Sequence, residues 1–248
     1  MASHPPAACC VQGVKHEGET FGKLEKVDNV EYYVTYPEDK KTDKAILIFP
    51  DVMGHNVDNA KLIADQFAAN GYFVVSVDQF DGDALPLNRP GDFDFMKWRE
   101  GHTTEKGDKI AATILKELKE KYGAKTIGAV GYCWGAKNVI RNLKKGVIDA
   151  GYVAHPSFVD ADELRGIEGP LSIAAAETDA IFPAEKRHES EKILQELKAT
   201  YQINLYSGVS HGFSVRGDLS NPVIKYAKEQ AFLQAVFWFD EHIKNKKA

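Results

Sequence analysis

Gly131-Tyr132-Cys133-Trp134-Gly135 decides how this chain is read. A short apolar run, Thr126-Ile127-Gly128-Ala129-Val130, precedes it and reads as a buried parallel strand. Residues 136–145 follow with helix-forming side chains, and Val139, Ile140 and Leu143 are spaced for one apolar face. A residue between such a strand and such a helix sits on a sharp turn, takes strained backbone angles and needs small neighbours, which the two glycines supply. The helix that follows points its positive end at the Cys133 sulfur and favours the thiolate. With 20 glycines and 3 cysteines in 248 residues, a chance G-x-C-x-G has an expectation of roughly 0.02. The plain alternative is a cysteine packed in a turn after a core strand.

Composition bounds the rest. A chain of 248 residues with 44% hydrophobic and 27% charged side chains can bury one large core. The net charge of −5 leaves no basic footprint, which argues against nucleic acid or an anionic membrane as partner. Apolar runs fall far short of the ~18 residues of a membrane span. Met1-Ala2-Ser3-His4-Pro5-Pro6 lacks the basic and apolar regions of a signal peptide. The three cysteines, Cys9, Cys10 and Cys133, are odd in number and lack zinc-ligand spacing, so no metal is expected. The expected compartment is reducing and cytoplasmic. The Cys9-Cys10 pair reads as redox-active or, more simply, as packed thiols.

No repeat, low-complexity tract or long linker divides the chain, so residues 1–248 read as a single domain. Residues 24–27 and 30–36 read as a β-hairpin turning at Asp28-Asn29. Beyond it strands at 45–49, 72–77, 126–130, 148–154, 171–175 and 203–206 alternate with helices at 57–70, 104–122, 136–145, 185–200 and 223–244, with an irregular excursion over 81–101. This alternation predicts an α/β fold with a mainly parallel central sheet and helices on both faces. Ligands bind such sheets at the carboxyl ends of the strands, where Cys133 falls. The G-x-nucleophile-x-G turn in this setting resembles the elbow of the α/β-hydrolase fold, where the order along the chain is nucleophile, acid, histidine.

A thiol nucleophile needs a base, and the base needs a group that holds its tautomer. His188, His211 and His242 follow Cys133. The first and last fall in helices, whereas His211 lies among small residues just after a strand, in Ser207-Gly208-Val209-Ser210-His211-Gly212-Phe213. The acid is Asp179 or Glu177 at the end of the preceding strand, with Asp179 placed further into the loop toward His211. Oxyanion donors are expected from the backbone N–H groups of Trp134 and, in the loop Phe49-Pro50-Asp51-Val52-Met53-Gly54, of Val52. Asp51 puts a carboxylate near the ionising thiol, or serves as a turn or capping acid. Phe80, Phe93, Phe95, Trp98, Trp134, His155 and Phe213 are candidates for an aromatic pocket wall, or for core packing. Thiolate is a good leaving group, so the chemistry suits activated acyl compounds rather than peptides.

Gly131-Tyr132-Cys133-Trp134-Gly135, Asp179, His211-Gly212-Phe213 and the Asp51-Val52-Met53-Gly54 loop together resemble the dienelactone hydrolase family, which uses a Cys-His-Asp triad. Cys9-Cys10 through Gly22 and Asp78-Gln79-Phe80-Asp81-Gly82-Asp83 resemble its fungal members. The resemblance implies hydrolysis of a small lactone, enol or aryl ester, or cyclic anhydride. It implies no metal or organic cofactor, a small-molecule substrate, a monomer or homodimer, and a place in fungal secondary metabolism or aromatic degradation. In bacterial members a glutamate of the early loop governs ionisation of the thiol; here Asp51, one methylene shorter, stands there. Arg216 is expected at the pocket rim as the holder of a substrate carboxylate, with Arg89 and Arg99 as alternatives. The rival readings are a catalytically silent α/β-hydrolase that binds a small molecule or protein, and a thiol redox protein.

Overall fold

In the computed structural model, which describes residues 2–88 and 93–245, the run before the elbow is a strand, β5 (Thr126–Tyr132). Ile127 and Ala129 face one core while Val130 and Tyr132 face another. Alternation along a strand covered on both faces is what makes its sequence continuously apolar. The other strands are the hairpin β1 (Lys23–Val27) and β2 (Val30–Thr35), then β3 (Lys44–Phe49), β4 (Phe73–Val77), β6 (Ala150–Ala154), β7 (Leu171–Thr178) and β8 (Tyr201–Ser210). Among the described residues they form one sheet in the order β1-β2-β4-β3-β5-β6-β7-β8. The pairs β1/β2 and β2/β4 are antiparallel, and all pairs from β4 to β8 are parallel.

Helices α3 (Thr104–Glu120), α4 (Gly135–Asn142), the short α5 (Ala161–Arg165) and α6 (Ala184–Glu196) lie over one face, and α1 (Asp58–Ala69) and α8 (Pro222–Phe239) over the other. α3 shows why. The Thr103 hydroxyl accepts the Lys106 N–H at its start, and Ala111, Ile114, Leu115 and Leu118 form one buried stripe. No helix among the described residues is long and apolar enough to cross a membrane.

Several elements depart from the sequence expectation. The excursion over 81–101 contains a short helix, α2 (Phe95–Glu100), started by Asp94, whose carboxylate accepts the Met96 and Lys97 N–H groups. Six residues are too few to show a helical period. β8 runs on to Ser210, past a bulge opposite β7, so His211 follows the strand directly. A single turn, α7 (Phe213–Arg216), comes next. The chain before β1 is no loose tail. Its backbone bonds to Val159, Ile181, Asn88 and Arg216, which straps residues 3–14 across the carboxyl edge of the sheet.

Candidate active site

Five neighbouring strand ends deliver the side chains of interest to one edge. Cys133 follows β5, His155 follows β6, Asp179 follows β7, His211 follows β8, and the Asp51-Val52 loop follows β3. Cys133 has φ 49°, a left-handed conformation that is strained for a residue with a side chain. Its glycine neighbours explain how the turn closes. A Cβ on Gly131 would lie 2.7 Å from Ala136 Cα, and one on Gly135 would run into the Phe49 carbonyl. The turn therefore packs backbone on backbone and leaves the sulfur at the N-terminal end of α4.

The Cys133 Sγ lies 3.1 Å from His211 Nε2, and His211 Nδ1 lies 2.8 Å from Asp179 Oδ2. The second Asp179 oxygen accepts the N–H groups of Ile181 (2.8 Å) and Phe182 (3.0 Å), which fixes the carboxylate plane. Glu177 is not in this chain; it is exposed and accepts the Gly208 N–H at 2.7 Å. His188 lies on α6, and His242 packs its ring on Trp238 at 4.2 Å.

Electrostatics follow from burial and contact. Burial opposes ionisation of Cys133, yet the Cys10 thiol and the His211 and His155 rings outweigh it and hold the thiol well below its ordinary value. Burial likewise pulls His211 down, but the Cys133 sulfur and the Asp179 carboxylate raise it to about 10. Asp179 is lowered, burial being overcome by His211. Both shifts favour thiolate and imidazolium over neutral thiol and imidazole. His155 is buried, bonded through Nε2 to the Ser214 hydroxyl at 2.8 Å, and brought down to about 4 mainly by burial, so it stays neutral.

Cys10 is the residue that sequence reasoning left without a role. Its Sγ lies 3.4 Å from Cys133 Sγ and 3.6 Å from His211 Nε2, on a 3-10 turn (Ala8–Val11) of the strap. Burial and the adjacent sulfurs push its ionisation well above the ordinary thiol value, so it remains S–H and donates to the thiolate. No local signal in the sequence places a coil segment over a site more than a hundred residues downstream. Cys133 itself is fully buried beneath this strap.

Arg216 lines the pocket beside His211, but its guanidinium is engaged inside the protein. The residue is 2% exposed. Its Nη1 donates to Asp51 Oδ2 at 2.5 Å, Nε to the Gln12 carbonyl at 2.8 Å and Nη2 to the Cys9 carbonyl at 3.2 Å. The guanidinium thus ties the strap to the early loop. Burial raises Asp51 against the pull of Arg216, and the neighbouring Cys133 sulfur adds to the rise. Breaking this pair would strand a buried carboxylate. Arg216→Met is expected to cost about 3–5 kcal/mol, a fall in Tm of roughly 6–20 °C, read by thermal denaturation. Asp51→Asn added to it should recover part of the loss, and KM should change alike for charged and neutral substrates. Arg99 stacks on the Phe158 ring at 4.2 Å, and Arg89 lies outside the described residues.

The aromatic candidates divide. Phe80, Trp98 and Trp134 pack together at 5.3–5.9 Å beside Val52 and Cys133, with Phe93 and Phe95 against them. Phe213 and His155 pack on each other at 5.9 Å on the other side of His211. The N–H groups of Val52 and Trp134 have no acceptor among the described residues. A pocket of about 460 Å³ opens to solvent between Cys9, Gln12, Thr178, Ser210, His211 and Gly212. A larger one, about 580 Å³, lies at the amino ends of the strands around Pro170 and His242, away from the thiol, and is not this site.

The parallel sheet with its antiparallel leading hairpin, and the sharp Cys133 turn after its central strand, are those of the α/β-hydrolase fold. A sequence profile of the dienelactone hydrolase family matches residues 30–243. The hydrolase tropI of Talaromyces stipitatus is 55% identical over 254 residues, covering 99% of this chain and 100% of that one. Dienlactone hydrolase 1 of Gibberella moniliformis is 36% identical over 251 residues, covering 97% and 95%. A thermophilic esterase from Thermogutta terrifontis matches with a TM-score of 0.68 at 15% identity, covering 92% and 97%, a likeness of fold. The chain belongs to the dienelactone hydrolase family and is a hydrolase of the ester and lactone class.

Proposed function

We propose that this single-domain hydrolase cleaves a small activated acyl compound, a lactone, an enol or aryl ester or a cyclic anhydride, through Cys133, His211 and Asp179. The observation that carries this reading is the hydrogen-bonded chain from Cys133 Sγ to His211 Nε2 at 3.1 Å and from His211 Nδ1 to Asp179 Oδ2 at 2.8 Å. The Cys133 thiolate attacks the acyl carbon, and the N–H groups of Trp134 and Val52 receive the oxyanion. The imidazolium of His211 then gives its Nε2 proton to the leaving oxygen. Once the sulfur is acylated its negative charge is gone, and with it much of what raised His211. The ring therefore becomes a base able to deprotonate the water that hydrolyses the thioester. Phe80 and Trp134 line one side of the acyl site, and His155 and Phe213 back His211 on the other. Asp51 and Arg216 hold the early loop and strap.

A silent binding module would have no need of a buried thiolate–imidazolium pair, whose desolvation weighs against stability. The fungal relatives support a place in secondary metabolism or aromatic degradation, and the three free cysteines suit a reducing cytoplasm. A panel of lactones, aryl esters and cyclic anhydrides tests the reading. Turnover of none of them, or equal turnover by Cys133→Ala, would refute it. The pH profile is a second check. A thiol with the usual pKa of about 8.5 would raise kcat/KM roughly 25-fold between pH 7 and 9. With Cys133 already ionised and His211 protonated up to about 10, kcat/KM is expected to stay flat across that window and to fall above it.

A further inference from the structure

We propose that Cys10, Cys133 and His211 form a binding site for a soft divalent cation, Zn²⁺, whose occupation silences the nucleophile. This goes beyond the hydrolase reading and stands on the geometry of three ligand atoms. Cys10 Sγ, Cys133 Sγ and His211 Nε2 are separated by 3.4, 3.6 and 3.1 Å, and all three residues are buried. Around a tetrahedral Zn²⁺ with Zn–S of about 2.3 Å and Zn–N of about 2.0–2.1 Å, the corresponding edges are about 3.8 Å for S–S and about 3.6 Å for S–N. The Cys10–His211 edge already has that length. The other two need to open by less than about half an ångström, within the reach of small side-chain rotations.

The surroundings fit a metal as well as they fit a base. His211 Nδ1 is bonded to the Asp179 carboxylate, the arrangement that fixes a zinc-ligating imidazole with Nε2 toward the ion. Two thiolates and one imidazole are a soft donor set that takes Zn²⁺ and leaves Mg²⁺ and Ca²⁺ in water. On binding, Zn²⁺ displaces the Cys10 S–H proton and the His211 Nε2 proton to solvent, and a water completes the tetrahedron. Of the three ligands, His211 lines the pocket that opens beside Cys9. The ligands come from the strap, the elbow and the end of β8, so no short sequence spacing announces them. Once ligated, the Cys133 lone pair is held by the metal and the His211 Nε2 has no proton to move.

The test uses the full chain without a histidine tag, kept reduced. Zn²⁺ is titrated in competition with a chelating dye, and Co²⁺ serves as the spectroscopic probe. The expected result is one Zn²⁺ per chain with submicromolar Kd, a Co²⁺ spectrum with tetrahedral ligand-field bands and thiolate charge-transfer absorption, and loss of ester hydrolysis restored by a chelator. Cys10→Ser, close to isosteric, should weaken Zn²⁺ binding by at least about 100-fold, and Cys133→Ser by as much. Asp179→Asn should weaken it roughly 10- to 100-fold. Absence of stoichiometric Zn²⁺ binding by the wild-type protein overturns the proposal, and so does unaltered affinity in Cys10→Ser. Because binding is read directly, a protein that hydrolyses nothing yet holds Zn²⁺ would defeat the hydrolase mechanism and leave this site standing.

Discussion

Cys133→Ala is expected to remove ester and lactone hydrolysis almost completely, by about 10⁴- to 10⁶-fold in kcat, while the protein stays folded. The size follows from the division of labour at the elbow. On the proposed mechanism no covalent acyl intermediate forms without the sulfur, and the Trp134 and Val52 N–H groups with the pocket then act only on a water of poor nucleophilicity. Folding should survive because the turn is held by backbone. The Cys133 N–H donates to the Ala154 carbonyl at 3.1 Å, and the Cys133 carbonyl accepts the Ser157 and Ala136 N–H groups at 3.0 and 3.2 Å. None of these uses the side chain. A cooperative thermal transition together with lost turnover is the expected pair of results. Retained turnover above a hundredth of wild type would move the nucleophile elsewhere, and Cys10, 3.4 Å away, would be the next thiol to replace.

The elbow turn, the position of His211 after a strand and the parallel sheet were legible because each leaves a local mark. A strand buried on both faces must be apolar throughout, as β5 is, and a turn packed backbone on backbone must carry glycine, as Gly131 and Gly135 do. Chain order left three histidines, and the loop after a strand made His211 the candidate base, with the candidate acid narrowed to two neighbours. Arg216 left no such mark. An arginine five residues beyond His211 reads as exposed, since nothing local says that its charge is met by Asp51 from a loop far upstream. Cys10 was opaque for a related reason. Its segment is irregular, has no period and takes its position from bonds to Arg216, Asn88 and Ile181 that only the folded sheet brings near. α2 was hidden by its brevity. What the sequence concealed is thus mainly the strap and what it covers, the part of the site built from tertiary contacts rather than from strand ends.

Asp179→Asn is the substitution that separates an orienting carboxylate from a nearby one, with an expected loss of about 10⁴-fold in kcat. The carboxylate accepts the Ile181 and Phe182 N–H groups through Oδ1, and an asparagine carbonyl can keep both bonds. Its amide nitrogen is then forced toward His211 Nδ1, where the aspartate presented an acceptor at 2.8 Å. A donor at that place turns the imidazole to the tautomer with a bare Nδ1 and a proton on Nε2, so the lone pair that should take the water proton is absent. The same change removes a charge that raises His211, and the thiolate–imidazolium pair reverts toward neutral thiol and imidazole. Acylation and deacylation should therefore both slow, with little change in fold. Glu177→Gln is the control, two residues earlier on the same strand end. That side chain is exposed and holds only the Gly208 N–H, an acceptor role that the glutamine oxygen can keep. Its rate should stay within about threefold of wild type, as surface changes of under about 0.5 kcal/mol do. A ranking in which Glu177→Gln is the more damaging of the two would place the orienting acid at Glu177 and remove Asp179 from the mechanism.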